Sequence, residues 1–165
     1  MKTKYTQSIK EGEAGEAGFL KIVESKNLDV RKATFSENVH KHIDYFVNEV
    51  AYDVKARKRV SRGNSLAQDE WVWLEFSNVR GRKGWLYGEA KYIAFETNTS
   101  FLIFDREKLS SKAEELVDLE NIVFNTGEAA YNAYQRRGRK DIISRVLMKD
   151  LTDSLPFEEW KKNAN

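Results

Sequence analysis

Apolar and polar positions recur along this chain in two rhythms, one near 3.6 residues and one of two. Glu16, Phe19, Leu20 and Val23 stand at i, i+3, i+4 and i+7, one face of a helix, which predicts a helix over residues 15–27. Gly12, Gly15 and Gly18 leave its start undefined, because glycine is a poor helix former. Residues 28–34 read as a short strand and 36–40 as loop. Residues 42–47 and 50–57 alternate with period two on either side of Asn48 and Glu49, a hairpin signal. Residues 71–79 (WVWLEFSNV) are rich in strand formers. Gly81, Gly84 and Gly88 mark a loop or short helix around Trp85, Leu86 and Tyr87. Residues 92–95 and 101–104 read as strands, 106–119 as a helix, 128–136 as a shorter helix and 142–151 as a strand. The tail, 158–165, is polar apart from Trp160. This order of elements predicts a mixed α/β (α+β) fold, a central mixed sheet flanked by helices.

Composition narrows the class. The chain has 165 residues, 41% of them hydrophobic and 12% aromatic, enough for one domain with a packed core. No repeat or low-complexity linker divides it, so residues 1–165 are expected to form a single domain. No apolar run has the length of a membrane span, and residues 1–10 lack the apolar stretch of a signal peptide. The expectation is a cytoplasmic protein with no membrane partner. The absence of cysteine excludes disulfides, cysteine-ligated zinc and thiol nucleophiles. No P-loop, dinucleotide fingerprint or Gly-x-Ser-x-Gly elbow is present.

Net charge is only +2, but cations cluster in residues 55–62 (KARKRVSR), 80–83 (RGRK) and 136–140 (RRGRK), and acids in 11–24 and 114–120. Such clusters suit a protein that touches phosphate on one side; solvated loop and strand-end charge is the plainer explanation. Arg57, Lys58, Arg80, Arg82, Lys83, Arg136, Arg137, Arg139 and Lys140 are the candidate nucleic-acid contacts. They would hold the backbone rather than read bases. Trp85 and Tyr87 beside the 80–83 loop are either stacking surface or core.

The hairpin carries the candidate chemistry. With a two-residue turn, Val47 pairs with Val50, Phe46 with Ala51, Tyr45 with Tyr52 and Asp44 with Asp53. Asp44, Asp53 and Lys55 then share one face, while Ile43, Tyr45, Val47, Val50, Tyr52 and Val54 cover the other. Like charges directly across a strand pair are destabilising. A divalent cation relieves them, and hard oxygen ligands suit magnesium or manganese. Strand-end acids paired with nearby Lys or Arg are the alternative, and a one-residue change in the turn moves Asp44 to the other face.

An acid on a helix (Glu16), an Asp at a strand (Asp44) and Asp-x-Lys on the next strand (Asp53, Val54, Lys55) resemble the PD-(D/E)XK nuclease family, in particular small phage-encoded members, over roughly the first hundred residues. Ile43 stands where the family's namesake Pro would be. The resemblance implies a restriction-endonuclease-like fold and a Mg2+- or Mn2+-dependent endonuclease acting on DNA, with RNA not separable. It implies Asp44, Asp53 and Glu16 as metal ligands, Lys55 assisting the attacking water, and a homodimer. Glu13 could replace Glu16, and an acid at a helix start is also explained by the helix dipole. Accessory candidates are Glu75, on a strand expected to neighbour Asp-x-Lys, and His42. His40 and His42 alone make a weak zinc case. A non-catalytic nucleic-acid-binding module and a phage structural or interaction protein remain the rival classes.

Overall fold

The computed structural model describes residues 4–61, 63 and 66–163; Arg62 of the first basic cluster and the chain ends lie outside the described residues. In chain order the elements are α1 (Lys4–Ser25), β1 (Val30–Lys32), α2 (Phe35–Lys41), β2 (Tyr45–Val47), β3 (Val50–Lys55) and β4 (Trp71–Ser77). A 3-10 turn (Trp85–Tyr87) precedes β5 (Tyr92–Glu96), β6 (Ser100–Asp105), α3 (Arg106–Leu116) and β7 (Asp118–Val123). A second 3-10 turn (Thr126–Glu128) precedes β8 (Asn132–Tyr134), β9 (Ile142–Leu147), α4 (Met148–Thr152) and β10 (Glu158–Lys161). The fold is mixed α+β, and its strands divide between two mixed sheets. No helix among the described residues is long and apolar enough to cross a membrane.

The chain forms two compact units. The first comprises Met1–Arg57, Glu89–Phe104 and Phe157–Asn165 and holds the six-stranded sheet, in the order β1-β2-β3-β5-β6-β10. The β2–β3 hairpin has the register that its alternation predicts: Tyr45 opposite Tyr52, Phe46 opposite Ala51, Val47 opposite Val50. Asn48 and Glu49 both take positive φ, 48° and 68°, the signature of a type I′ turn. β3 then runs parallel to β5, placing Asp53 beside Ile93 and Lys55 beside Phe95.

The apolar hairpin face packs against α1. Phe19 is fully buried, with ring centroids 6.0 Å from Tyr45, 5.6 Å from Tyr52 and 5.6 Å from Phe101. Ile22, Val23, Val47, Val54 and Ile103 complete this core. Trp160, read from sequence as an isolated apolar residue in a polar tail, lies on strand β10 and stacks on Phe19 at 5.8 Å. Residues 36–40 are helix rather than loop. Thr34 and Glu37 form a reciprocal capping box that starts α2, and His42, at φ 55°, ends it instead of opening a strand.

The second unit, Lys58–Gly88 and Asp105–Pro156, holds the four-stranded sheet in the order β4-β9-β8-β7. Leu74, Val146, Ala129 and Ala133 are fully buried in it. Asp105 caps α3, its side chain accepting from the Lys108 amide at 3.1 Å. The helix expected over 128–136 does not form. Tyr131 takes a left-handed φ of 59°, which breaks a helix, and β8 follows. The strand expected over 142–151 stops at Leu147 and turns into α4. β7, whose first residues fall within the helix expected over 106–119, is an exposed edge strand that pairs with β8 in parallel.

Candidate functional site

The site lies at the β2–β3 hairpin of the first unit. Asp53 comes from the middle of β3 and is 3% exposed. Its Oδ1 is 3.0 Å from Lys55 Nζ, two residues along the same strand face. Its Oδ2 is buried and has no hydrogen-bond partner. Burial holds the Asp53 carboxyl well above the usual carboxylate range; the Lys55 ammonium opposes this and the Asp44 carboxylate adds to it.

Asp44 stands just before β2, and every part of it is fixed. Its amide donates to Tyr52 O at 2.9 Å and its carbonyl accepts from the Ala33 amide at 2.9 Å. Its Oδ2 accepts from the Val54 amide at 2.7 Å, and its Oδ1 from Asn38 Nδ2 at 2.8 Å. Asn38 also donates to the carbonyl of Ile43 at 3.2 Å, so α2 holds the backbone at Ile43 and the carboxylate of Asp44. Asn38 escapes sequence reading because its segment looks like loop; the Thr34-x-x-Glu37 capping signature is the signal that reveals the helix.

Glu16 reaches the same place from α1. The helix passes close over the end of β3: a Cβ at Gly15 would lie 2.9 Å from Ala56 Cβ. Burial lifts the Glu16 carboxyl to about 7, helped by the charge and hydrogen bonding of Asp44 and opposed by Lys32 and Lys55. Glu16, Asp44, Asp53 and Lys55 are therefore drawn together, as their order in the sequence suggests, and Lys32 joins them electrostatically from β1.

Other candidates lie elsewhere. Glu75 does not neighbour Asp-x-Lys: β4 pairs with β9, whereas β3 lies between β2 and β5. Glu75 Oε1 instead accepts from the Trp85 amide at 3.2 Å and anchors the 3-10 turn. Trp85 is buried and Tyr87 donates to Glu114 Oε1 at 2.6 Å, which makes both structural. Arg57 donates its amide to Glu96 Oε1 at 3.2 Å, and Lys58 is exposed. Arg80, Arg82, Lys83, Arg137, Arg139 and Lys140 are exposed. Arg136 is half-buried, and its Nε donates at 2.6 Å to fully buried Asp141.

Among the described residues, no three His, Asp or Glu side chains form a ready-made metal cage. The donor chemistry still fits a hard cation. Magnesium commonly takes one or two carboxylates and completes its shell with water. Asp44 and Asp53 supply two, and Asp53 Oδ2 is a buried acceptor with nothing to satisfy it. Comparison with models of known families, with curated proteins and with solved structures finds no match.

Proposed function

We propose that the chain is a metal-dependent nuclease that hydrolyses phosphodiester bonds in DNA, with Glu16, Asp44, Asp53 and Lys55 as its site. One observation carries the reading: Asp53 is buried with one oxygen on Lys55, no donor reaches the other, and the Asp44 carboxylate stands within hydrogen-bonding reach of it. An unpaired buried acceptor costs about 1–3 kcal/mol, more when charged, and a strand face gains no stability from it. A ligand that takes this oxygen explains the arrangement; a structural salt bridge accounts only for the other one.

Asp44 and Asp53 would hold Mg2+ or Mn2+, with Glu16 as a third acid. A bound cation would supply charge stabilisation at the phosphate and a nucleophile at neutral pH. Lys55 Nζ, 3.0 Å from Asp53 Oδ1, is in position to steady negative charge as the phosphate reacts. Asn38 and the Val54 amide fix Asp44, leaving its carboxylate little freedom to reorient.

Turnover is the test. Plasmid DNA should be nicked or cut in Mg2+ or Mn2+, cutting should stop with chelator, and Lys55→Ala should slow it by about 100-fold or more. Chelator-resistant cutting, or a Lys55→Ala variant as fast as wild type, would sink the reading.

A further inference from the structure

We propose that the second unit binds a single-stranded segment of nucleic acid, its phosphates held by two basic loops and one base seated on Phe124. The polymer class rests on the nuclease reading; the surface itself rests on the following geometry.

Two cation-rich loops, more than fifty residues apart in sequence, meet in the fold. The Lys140 amide donates to Val79 O at 3.2 Å, and a Cβ at Gly81 would lie 3.3 Å from the Lys140 side chain. Asn78 Oδ1 accepts from the amides of Arg80 and Arg82, both at 3.0 Å, and Gly81 takes φ 79°, so the first loop is tied in shape. The second is anchored by the Arg136–Asp141 pair. Arg80, Arg82, Lys83, Arg137, Arg139 and Lys140 are left exposed, and none forms an ion pair among the described residues. Gathered like charge of this kind attracts a polyanion, and arginine favours phosphate through its planar fork of donors.

The second half of the surface adjoins the first. Gln135 donates its amide to Val123 O at 3.0 Å, so the 136–140 loop leaves the sheet where residues 124–128 begin. There an open recess of about 480 Å³ is lined by Phe124, Ile122, Thr126, Glu128 and Arg137, among others. Phe124 is 56% exposed, an unusual position for a phenyl ring. Arg137 belongs to both the recess and the basic surface. Cations that track a backbone beside an exposed aromatic ring are the chemistry of single-strand binding, since every base has a face to stack. Bases in a duplex are already stacked on one another and cannot enter the recess without unpairing.

The test uses the full chain with chelator present and a fluorescent deoxyoligonucleotide, single-stranded or annealed, over a salt series. Wild type should bind the single strand more tightly than the duplex. Combined Arg80→Gln, Arg82→Gln and Arg139→Gln should weaken binding at least tenfold and reduce the slope of log affinity against log salt by about 2, at roughly 0.7 per lost phosphate contact. Phe124→Ala should weaken single-strand binding about fivefold or more and leave the salt slope unchanged. Preference for the duplex, equal affinity for anionic lipid vesicles, or unchanged binding in either variant would overturn the proposal. Binding is read in chelator, where the proposed hydrolysis does not run, so loss of binding and loss of cleavage report separately on the two sites.

Discussion

Asp53 and Asp141 are both buried carboxylates with one oxygen on a cation and one on nothing, yet their surroundings differ. Asp141 has one ion-pair partner among the described residues, Arg136. Arg136→Ala should therefore cost about 3–5 kcal/mol by stranding that charge, whereas Arg137→Ala, at an exposed position, should cost well under 1 kcal/mol. Urea denaturation of the two variants checks this, and equal losses would refute it. Around Asp53 the acids accumulate, and the consequence is a pH dependence. Glu16 titrates at about 7 in the folded chain and near 4.5 when unfolded. Between those values the folded form keeps a proton that the unfolded form has lost. The stabilisation this provides is complete below pH 4.5 and is lost as the pH rises towards about 7. The loss is on the order of 1–2 kcal/mol at this partly exposed site, and Asp53, shifted the same way, adds to it. Denaturation midpoints measured in chelator should fall over this range in wild type and fall less in Glu16→Gln; identical profiles would contradict the shift.

At the scale of elements, the site depends on how closely α1 and α2 approach the hairpin. Gly15→Ala improves helix propensity by about 1 kcal/mol, but its Cβ would meet Ala56 at 2.9 Å. Overpacking of that kind typically costs about 1–3 kcal/mol. The clash should win, with a net loss of stability in calorimetry; a gain would mean that α1 can lift away freely. Thr34→Ala removes the cap of α2 at about 1 kcal/mol and, by loosening Asn38, should impair cleavage more than its small cost in stability suggests. The hairpin was legible because three signals agree in it: strict alternation, a turn residue that tolerates positive φ, and β-branched or aromatic residues at each inward position. α2 was not legible from periodicity, because it buries none of its residues; its only sequence mark is the cap. The 128–136 segment misled because Ala129, Ala130 and Ala133 imitate a helical face, while the left-handed Tyr131 is a tertiary outcome with no local signature.

For the whole molecule, sequence composition conveyed the mixed α+β class but not the division of the strands. Trp71–Ser77 looks like a neighbour for Asp-x-Lys because it follows next as a strong strand; strand pairing is set by contacts distant in sequence, and β5 takes that place. The four residues could be proposed beforehand because an acid on a helix, an Asp at a strand and Asp-x-Lys on the next strand follow one another along the chain, whereas Asn38 and Lys32 join them only in three dimensions. The basic clusters were visible as charge, but only the fold separates Arg136, which anchors a buried acid, from the six exposed cations near it. The decisive experiment is cleavage of a DNA panel (linear, nicked, single-stranded and four-way junction) in Mg2+ or Mn2+, comparing wild type with Asp53→Asn. The variant keeps the shape of the side chain, and its folding, followed by circular dichroism, is the control. Metal-dependent cutting by wild type, absent in a folded Asp53→Asn, is the predicted result. Cutting that survives in Asp53→Asn, or no cutting of any substrate by wild type with either metal, would contradict a hydrolytic site at this hairpin.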